Sequence, residues 1–149
     1  MARPRGVIIA AALGAAAVFL VASALVARVL AARADERAAA IAVVKAQARG
    51  DQREVLRLLD GCRPRPGCAT RVRRTVARLR RPLSVDVLNV SDPGISLGSR
   101  TGATRVAWRT GSELPVVQCI TARRTGDPLA GYEIRLLDLG APIGREAGC

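Results

Sequence analysis

Residues 71–90 read RVRRTVARLRRPLSVDVLNV, and the hydrophobic period changes within them. Before Pro82, Val72, Val76 and Leu79 recur at i, i+4 and i+7, which is one face of a helix. Arg71, Arg73, Arg74, Arg78, Arg80 and Arg81 occupy other positions of the same stretch. Pro82 has no N–H to donate and ends the helix. Beyond it, apolar and polar residues alternate with period two, the pattern of a half-buried strand over 84–90. The same alternation predicts strands over 103–109, 114–124 and 132–139, with a short one near 95–97. In 103–109, Val106 and Trp108 point to one side, and Arg105, Ala107 and Arg109 to the other. Turn signals separate the runs: Asp92-Pro93-Gly94, residues 98–102, Thr110-Gly111-Ser112 and Thr125-Gly126-Asp127-Pro128. Connections this short favour antiparallel pairing.

Upstream of this switch the chain is helical. Gly50 ends a first helix, and Asp51-Gln52-Arg53-Glu54 starts a second with an N-cap and an acidic third position. Val55, Leu56, Leu58 and Leu59 form its apolar side, and Gly61 stops it. Residues 62–68, CRPRPGC, form a loop, because two prolines and a glycine forbid regular helix. Helices first and strands afterwards predict an α+β domain: short helices packed on a curved antiparallel sheet of about four strands.

Residues 7–27, VIIAAALGAAAVFLVASALVA, carry no charge. As a helix they extend about 31 Å, enough to cross a bilayer core. Arg3 and Arg5 precede the run, and Ala22-Ser23-Ala24 resembles a cleavage site, so a removed signal peptide is the competing reading. The run is longer than an ordinary signal core, which favours an uncleaved anchor. No Gly or Pro occurs between Ala15 and Arg49, so the membrane helix is expected to continue into the outer domain. The expected organisation is a cytoplasmic tail over 1–6, a transmembrane helix over 7–27, a stalk over 28–36 and an extracytoplasmic domain over 37–149. The flanking charges slightly favour the opposite orientation; the cysteines override that count.

Cys62, Cys68, Cys119 and Cys149 all lie beyond the apolar run. Four cysteines allow three pairings. Cys62–Cys68 with Cys119–Cys149 is favoured: the first closes a loop already bent by proline, and the second ties the last residue to a central strand. Zinc is a poor reading, with no C-x-x-C and no histidine in the chain. The location expected is therefore the plasma membrane, single-pass, with the C-terminal domain outside the cytoplasm; the alternative is a secreted protein.

The 149 residues carry 24 basic and 12 acidic side chains, a net charge of +12. Of the basic residues 23 are Arg, beside 27 Ala, the usage of a GC-rich genome, which weakens arguments from arginine chemistry. The six arginines of 71–81 are the densest positive charge, read either as a solvated helix face or as a contact for anionic lipid or polymer. No nucleic-acid motif or aromatic stacking platform accompanies them. Without histidine the commonest general base is missing. There is no P-loop, no nucleophile elbow and no expected cofactor or metal. The spacing of Gly94, Gly98 and Gly102 reads as a hairpin loop rather than an anion-binding nest. Trp108 and Tyr132 are expected as large core residues. Asn89-Val90-Ser91 matches a glycosylation sequon but falls in a strand.

The element order, the GDxxxVLxLL-like stretch at 50–59 and the end VQC…YEIRLLDLGAPIGREAGC at 117–149 resemble the NTF2-like and cystatin-like domains of bacterial single-pass membrane proteins, among them Mce-associated membrane proteins. The hairpin that the fuller form often carries between its early helices is missing here. The resemblance implies helices packed in a curved antiparallel sheet outside the membrane. Some NTF2-like enzymes use an Asp base and a Tyr donor; Asp86, Asp138 and Tyr132 are the residues of those types here, and no functional residue is carried over. The expected function is a non-enzymatic envelope protein whose outer domain binds a partner protein or an apolar small molecule. The alternatives are a small-molecule isomerase or hydrolyase in the hollow of the sheet, or an electrostatic binder of anionic lipid or envelope polymer through the arginines of 71–81.

Overall fold

The computed structural model describes residues 5–62, 64–81, 83–91, 100–127, 129–144 and 147–149. Helix α1 runs unbroken over Arg5–Arg49. Its first part is bare: an 18-residue window has mean hydropathy 2.5 and no burial. Partial burial starts at Leu25 and Val29, and Ala32, Glu36, Ala40, Val43 and Gln47 are buried. The steps of three and four residues make one helix face. Alanine at many of these positions leaves little side chain between helix and sheet, so the two backbones approach closely. Residues 28–36 are thus not a free stalk, because Ala32 and Glu36 within them already pack on the sheet.

Gly50 turns the chain with φ of +80°, a left-handed conformation that suits glycine. Helix α2, Gln52–Leu58, is capped by Asp51, whose side chain accepts from the Glu54 N–H at 2.9 Å. It ends at Leu58 rather than Gly61. Asp60–Cys62 instead form a 3₁₀ turn, and a Cβ on Gly61 would stand 2.8 Å from the Leu137 Cα, so this turn seats directly on the sheet backbone. Helix α3, Cys68–Leu79, buries Cys68, Val72, Thr75, Val76 and Leu79.

The sheet is a four-stranded antiparallel meander in the order β1-β2-β3-β4, with β1 over Val85–Val90, β2 over Thr101–Thr110, β3 over Val116–Asp127 and β4 over Gly131–Ile143. The α+β class and the strand count match the sequence reading. The β3–β4 hairpin is longer than expected: pairing continues to Asp127↔Gly131, so residues 125–127 extend the strand instead of turning. Register shifts interrupt β1 at Val87/Asn89 and the β3–β4 pair at Gln118/Ile120 and Thr121/Ala122, and such bulges sharpen local twist. The expected strand near 95–97, and Gly94 and Gly98, lie outside the described residues.

The core lies between the sheet and the helices. Trp108 and Val106 face it, with Ile120, Leu136 and Leu139, while Arg105, Ala107 and Arg109 are more exposed, as the alternation requires. At its centre Trp108 Nε1 donates to Gln118 Oε1 at 2.9 Å, and Gln118 and Gln47 exchange amide hydrogen bonds at 2.8 and 3.2 Å. Gln118 also donates to the Gly140 carbonyl at 2.9 Å. One glutamine thus satisfies the indole, fixes α1 on β3 and ties β3 to β4. Tyr132 is only half-buried, at the hairpin end of β4, with the Arg124 guanidinium 5.1 Å from its ring centre. Trp108 is therefore core and Tyr132 is not: it stands on the edge strand near the hairpin end, where α1 is only partly buried.

Candidate functional site

Two cysteine pairs stand at bonding distance. The sulfurs of Cys62 and Cys68 are 2.07 Å apart and both residues are buried; those of Cys119 and Cys149 are 2.16 Å apart. Cys119 is on β3, an interior strand, so the second pair pins the chain end to the sheet. The cysteine-paired loop borders an open groove of about 490 Å³ between α2 and the start of α3. Leu56, Cys62 and Ala69 supply apolar surface, and Arg53, Arg57 and Arg65 line it as well. Arg57 pairs with Glu54 at 2.6 Å. Arg65 donates to the carbonyls of Gly61 and Leu137 and lies 3.7 Å from Asp138. Leu137 and Asp138 belong to β4, so Arg65 links the loop to the sheet.

The arginines of 71–81 do not form one face. Helix α3 stops at Leu79, and Arg80 is already extended. Arg81 turns back: its N–H donates to the Ala48 carbonyl at 2.8 Å and its side chain pairs with Glu113 at 2.7 Å. Arg71 pairs with Asp138 at 3.2 Å. Arg73, Arg74 and Arg78 stay on the exposed side of the helix, with no ion pair among the described residues. The end of α3 at Leu79 therefore divides the charge cluster, which composition alone does not reveal.

Glu36 is a site residue that sequence reading missed. It is 1% exposed, accepts from the Thr104 hydroxyl at 2.8 Å, and lies 3.8 Å from the Arg124 guanidinium. Burial pushes its carboxyl above the ordinary glutamate range; the Thr104 hydrogen bond, and then the Arg124 charge, pull it partly back. A cleft of about 230 Å³ opens beside it between α1 and the β1–β2 edge, lined by Arg33, Arg37, Val90 and Ser91 among others. The signal was present in the sequence: Glu36 occupies a step of the three-and-four spacing that Ala32, Ala40 and Val43 follow.

Asp86, Asp138 and Tyr132 are not brought together. Asp86 is exposed on β1 and Asp138 is on β4, the opposite edge: three interstrand steps apart and about six residues out of register, roughly 25 Å in all. Tyr132 is six residues from Asp138 along β4, about 20 Å. The space between sheet and α1 is filled by Trp108, Gln47, Gln118 and their neighbours. Among the described residues no cluster of three or more His, Cys, Asp or Glu side chains could hold a metal ion. Comparison with family models, with curated proteins and with solved structures gave no match. What stands is an α+β domain carried on a long N-terminal helix that is apolar enough to cross a membrane, with two cysteine pairs that fit an oxidising compartment.

Proposed function

We propose that this chain is a membrane-anchored interaction protein whose α+β domain lies outside the cytoplasm and binds an envelope partner without catalysis. The observation that carries the binding reading is the groove beside the Cys62–Cys68 loop: apolar surface among arginines, held by a crosslink and by Arg65. It suits a partner protein presenting an apolar side chain flanked by carboxylates, or an apolar small molecule with an acidic end. The grouping with NTF2-like and cystatin-like envelope domains is part of this proposal and rests on the order of elements alone, helices and then a four-stranded meander. The bare apolar stretch of α1 supports the anchor. A chain cut after Ala24 keeps every buried residue, so secretion is the second reading of location.

The test is a photoreactive residue at Leu56 in the full chain in native membranes, with Leu114, at the far β2–β3 turn, as control. A discrete adduct at Leu56 that disappears on Arg53→Glu supports the reading. Equal labelling at Leu114, or no adduct at Leu56, opposes it. Intact mass of the same material separates an anchored from a cleaved chain.

A second reading rests on Arg73, Arg74 and Arg78. Ala48, beside Arg81, is 21 helical residues beyond Ala27, about 31 Å. Arg71, at the other end of α3, pairs with Asp138 opposite Thr121, about 10 Å nearer the apolar run than Gln118, so the three arginines stand roughly 20–30 Å from it, more than two ~8 Å Debye lengths at physiological salt. The headgroups of the bilayer that α1 crosses are too far to be their partner, and an acidic envelope polymer suits them better. Its binding would fall steeply with salt and be lost on Arg73→Gln with Arg74→Gln and Arg78→Gln. Binding unchanged in that variant would remove the reading.

A further inference from the structure

The β3–β4 hairpin ends in a turn that exposes a large apolar side chain. Leu129 is 75% exposed. Asp127 Oδ1 accepts from the N–H groups of Leu129 and Ala130 at 2.7 and 2.8 Å. On either side Gly126 and Gly131 take φ of +94° and +102°; Gly126 pairs with Tyr132 and Gly131 with Asp127. A Cβ on Gly126 would overlap the Gly131 carbonyl oxygen, so the strands close tightly there.

Two contacts fix where this turn sits along α1. Gln47 meets Gln118 at 2.8 Å, and Glu36 meets Arg124 at 3.8 Å. Moving from the first contact to the second covers about 16 Å of helix and about 20 Å of strand. α1 and β3 therefore run side by side in opposite directions. Continuing by about 10 Å of strand reaches Asp127, and about 12 Å of helix reaches Arg28. The Arg28 charge does act on Asp127, helping to hold its carboxyl below the ordinary aspartate range, after the two backbone hydrogen bonds of the turn. The turn apex, two residues further, comes level with residues 25–27, the last turn of the uncharged run. Partial burial on α1 begins at that level, at Leu25 and Val29.

We infer that the β3–β4 turn is a membrane contact, with Leu129 entering the headgroup–acyl boundary of the bilayer that residues 7–27 cross. This rests on the anchor reading above. The surroundings suit that boundary. Arg28 follows the span directly, and Arg100 and Arg123 are exposed near the same end, where the Arg124 N–H donates to the Arg100 carbonyl at 2.8 Å. The exposed guanidinium groups of Arg100 and Arg123 at that level meet lipid phosphate while the leucine enters the apolar layer. Because α1 is packed rigidly on the domain, the turn as a second attachment fixes the tilt of the domain on the membrane. The groove by Cys62–Cys68 and the face of α3 are then held in one orientation relative to the membrane.

The test uses the full chain in vesicles of phosphatidylcholine and phosphatidylglycerol with brominated acyl chains, which quench tryptophan on contact. Native Trp108 is 1% exposed and shielded. Three single variants each add one reporter: Leu129→Trp at the turn, Leu114→Trp at the opposite end of the sheet (77% exposed), and Phe19→Trp within the span. The expected result is loss and blue shift of the added emission for Leu129→Trp and Phe19→Trp, with Leu114→Trp unquenched. Quenching at Phe19→Trp without quenching at Leu129→Trp overturns the turn contact and leaves the anchor standing. Quenching at Leu114→Trp equal to that at Leu129→Trp overturns it too, because the domain would then lie down without a preferred end. No quenching at Phe19→Trp defeats the anchor and the contact together.

Discussion

A carboxyl group buried in an alanine-rich helix face makes folding depend on pH. The pKa of Glu36 is raised in the fold above its unfolded value near 4.5, so the native state holds this proton more tightly than the unfolded chain. Its contribution is most favourable below that value and declines as pH rises through the folded pKa. Melting curves taken upward from pH 4.5 are expected to show wild type losing stability relative to Glu36→Gln. A difference that stays flat, or runs the other way, would mean that Arg124 compensates the charge fully. Glu54, Glu113 and Asp127 are shifted downward by hydrogen bonds, so their contributions are lost as pH falls; both proteins share them and they cancel in the difference. Gln118 offers a second test. Gln118→Leu leaves the Trp108 N–H, the Gln47 amide and the Gly140 carbonyl without their partner in a dry core. We expect a loss of about 3 kcal/mol in chemical denaturation, well above a surface change. Glu36 was hard to find from sequence because an acidic residue on a helix is normally solvated; only the match of its position to the buried spacing marked it.

At the level of elements, the crosslinks stabilise different things. The Cys62–Cys68 pair closes a short loop, about 2.4 kcal/mol by chain entropy, and both sulfurs are in the core. The Cys119–Cys149 pair closes a 30-residue separation, about 3.7 kcal/mol, across the last hairpin. Replacing Cys119 and Cys149 together with serine should lower stability by up to about that amount in urea titration, with the fold retained. An unchanged midpoint would show that β3–β4 pairing alone holds the chain end. The extent of α1, and the presence and order of α3 and the four strands, were legible because helix and strand periods are local and Gly and Pro punctuate them. The β3–β4 hairpin was misjudged at its tip. Thr125-Gly126-Asp127-Pro128 reads as a turn, yet Gly126 and Gly131, both at positive φ, let the ladder continue to Asp127. Turn residues within a strand and turn residues at its end look alike in sequence.

For the whole molecule, the boundary between anchor and domain is the quantity that matters. Burial along α1 begins at Leu25, not at residue 37. A chain covering 25–149 is therefore expected to fold as a soluble domain, melting within a degree or two of the detergent-solubilised full chain. A chain covering 37–149 loses the packing of Val29, Ala32 and Glu36 and should be less stable by about 2 kcal/mol. Equal melting of the two shortened chains would show that the early turns of α1 pack without stabilising. Because packing reaches this close to the apolar run, no flexible spacer separates the domain from that run, and on the proposed anchor reading the groove and α3 stand at a set height.

The sequence alone determined the architecture class, the apolar span, the helix that continues from it, and an inventory of four cysteines with two favoured pairings. These follow from local rules: the period of apolar residues, the conformational limits of glycine and proline, and the number of charges in a run. Only the tertiary structure decided that Glu36 is buried, that Arg71 and Arg81 are spent on Asp138 and Glu113, that Tyr132 sits at an edge, and that the turn carrying Leu129 comes level with the end of the span. Each of these depends on the register between segments far apart in the chain, Glu36 with Thr104 and Gln47 with Gln118 above all. That register is set by packing complementarity, which no single stretch of sequence contains.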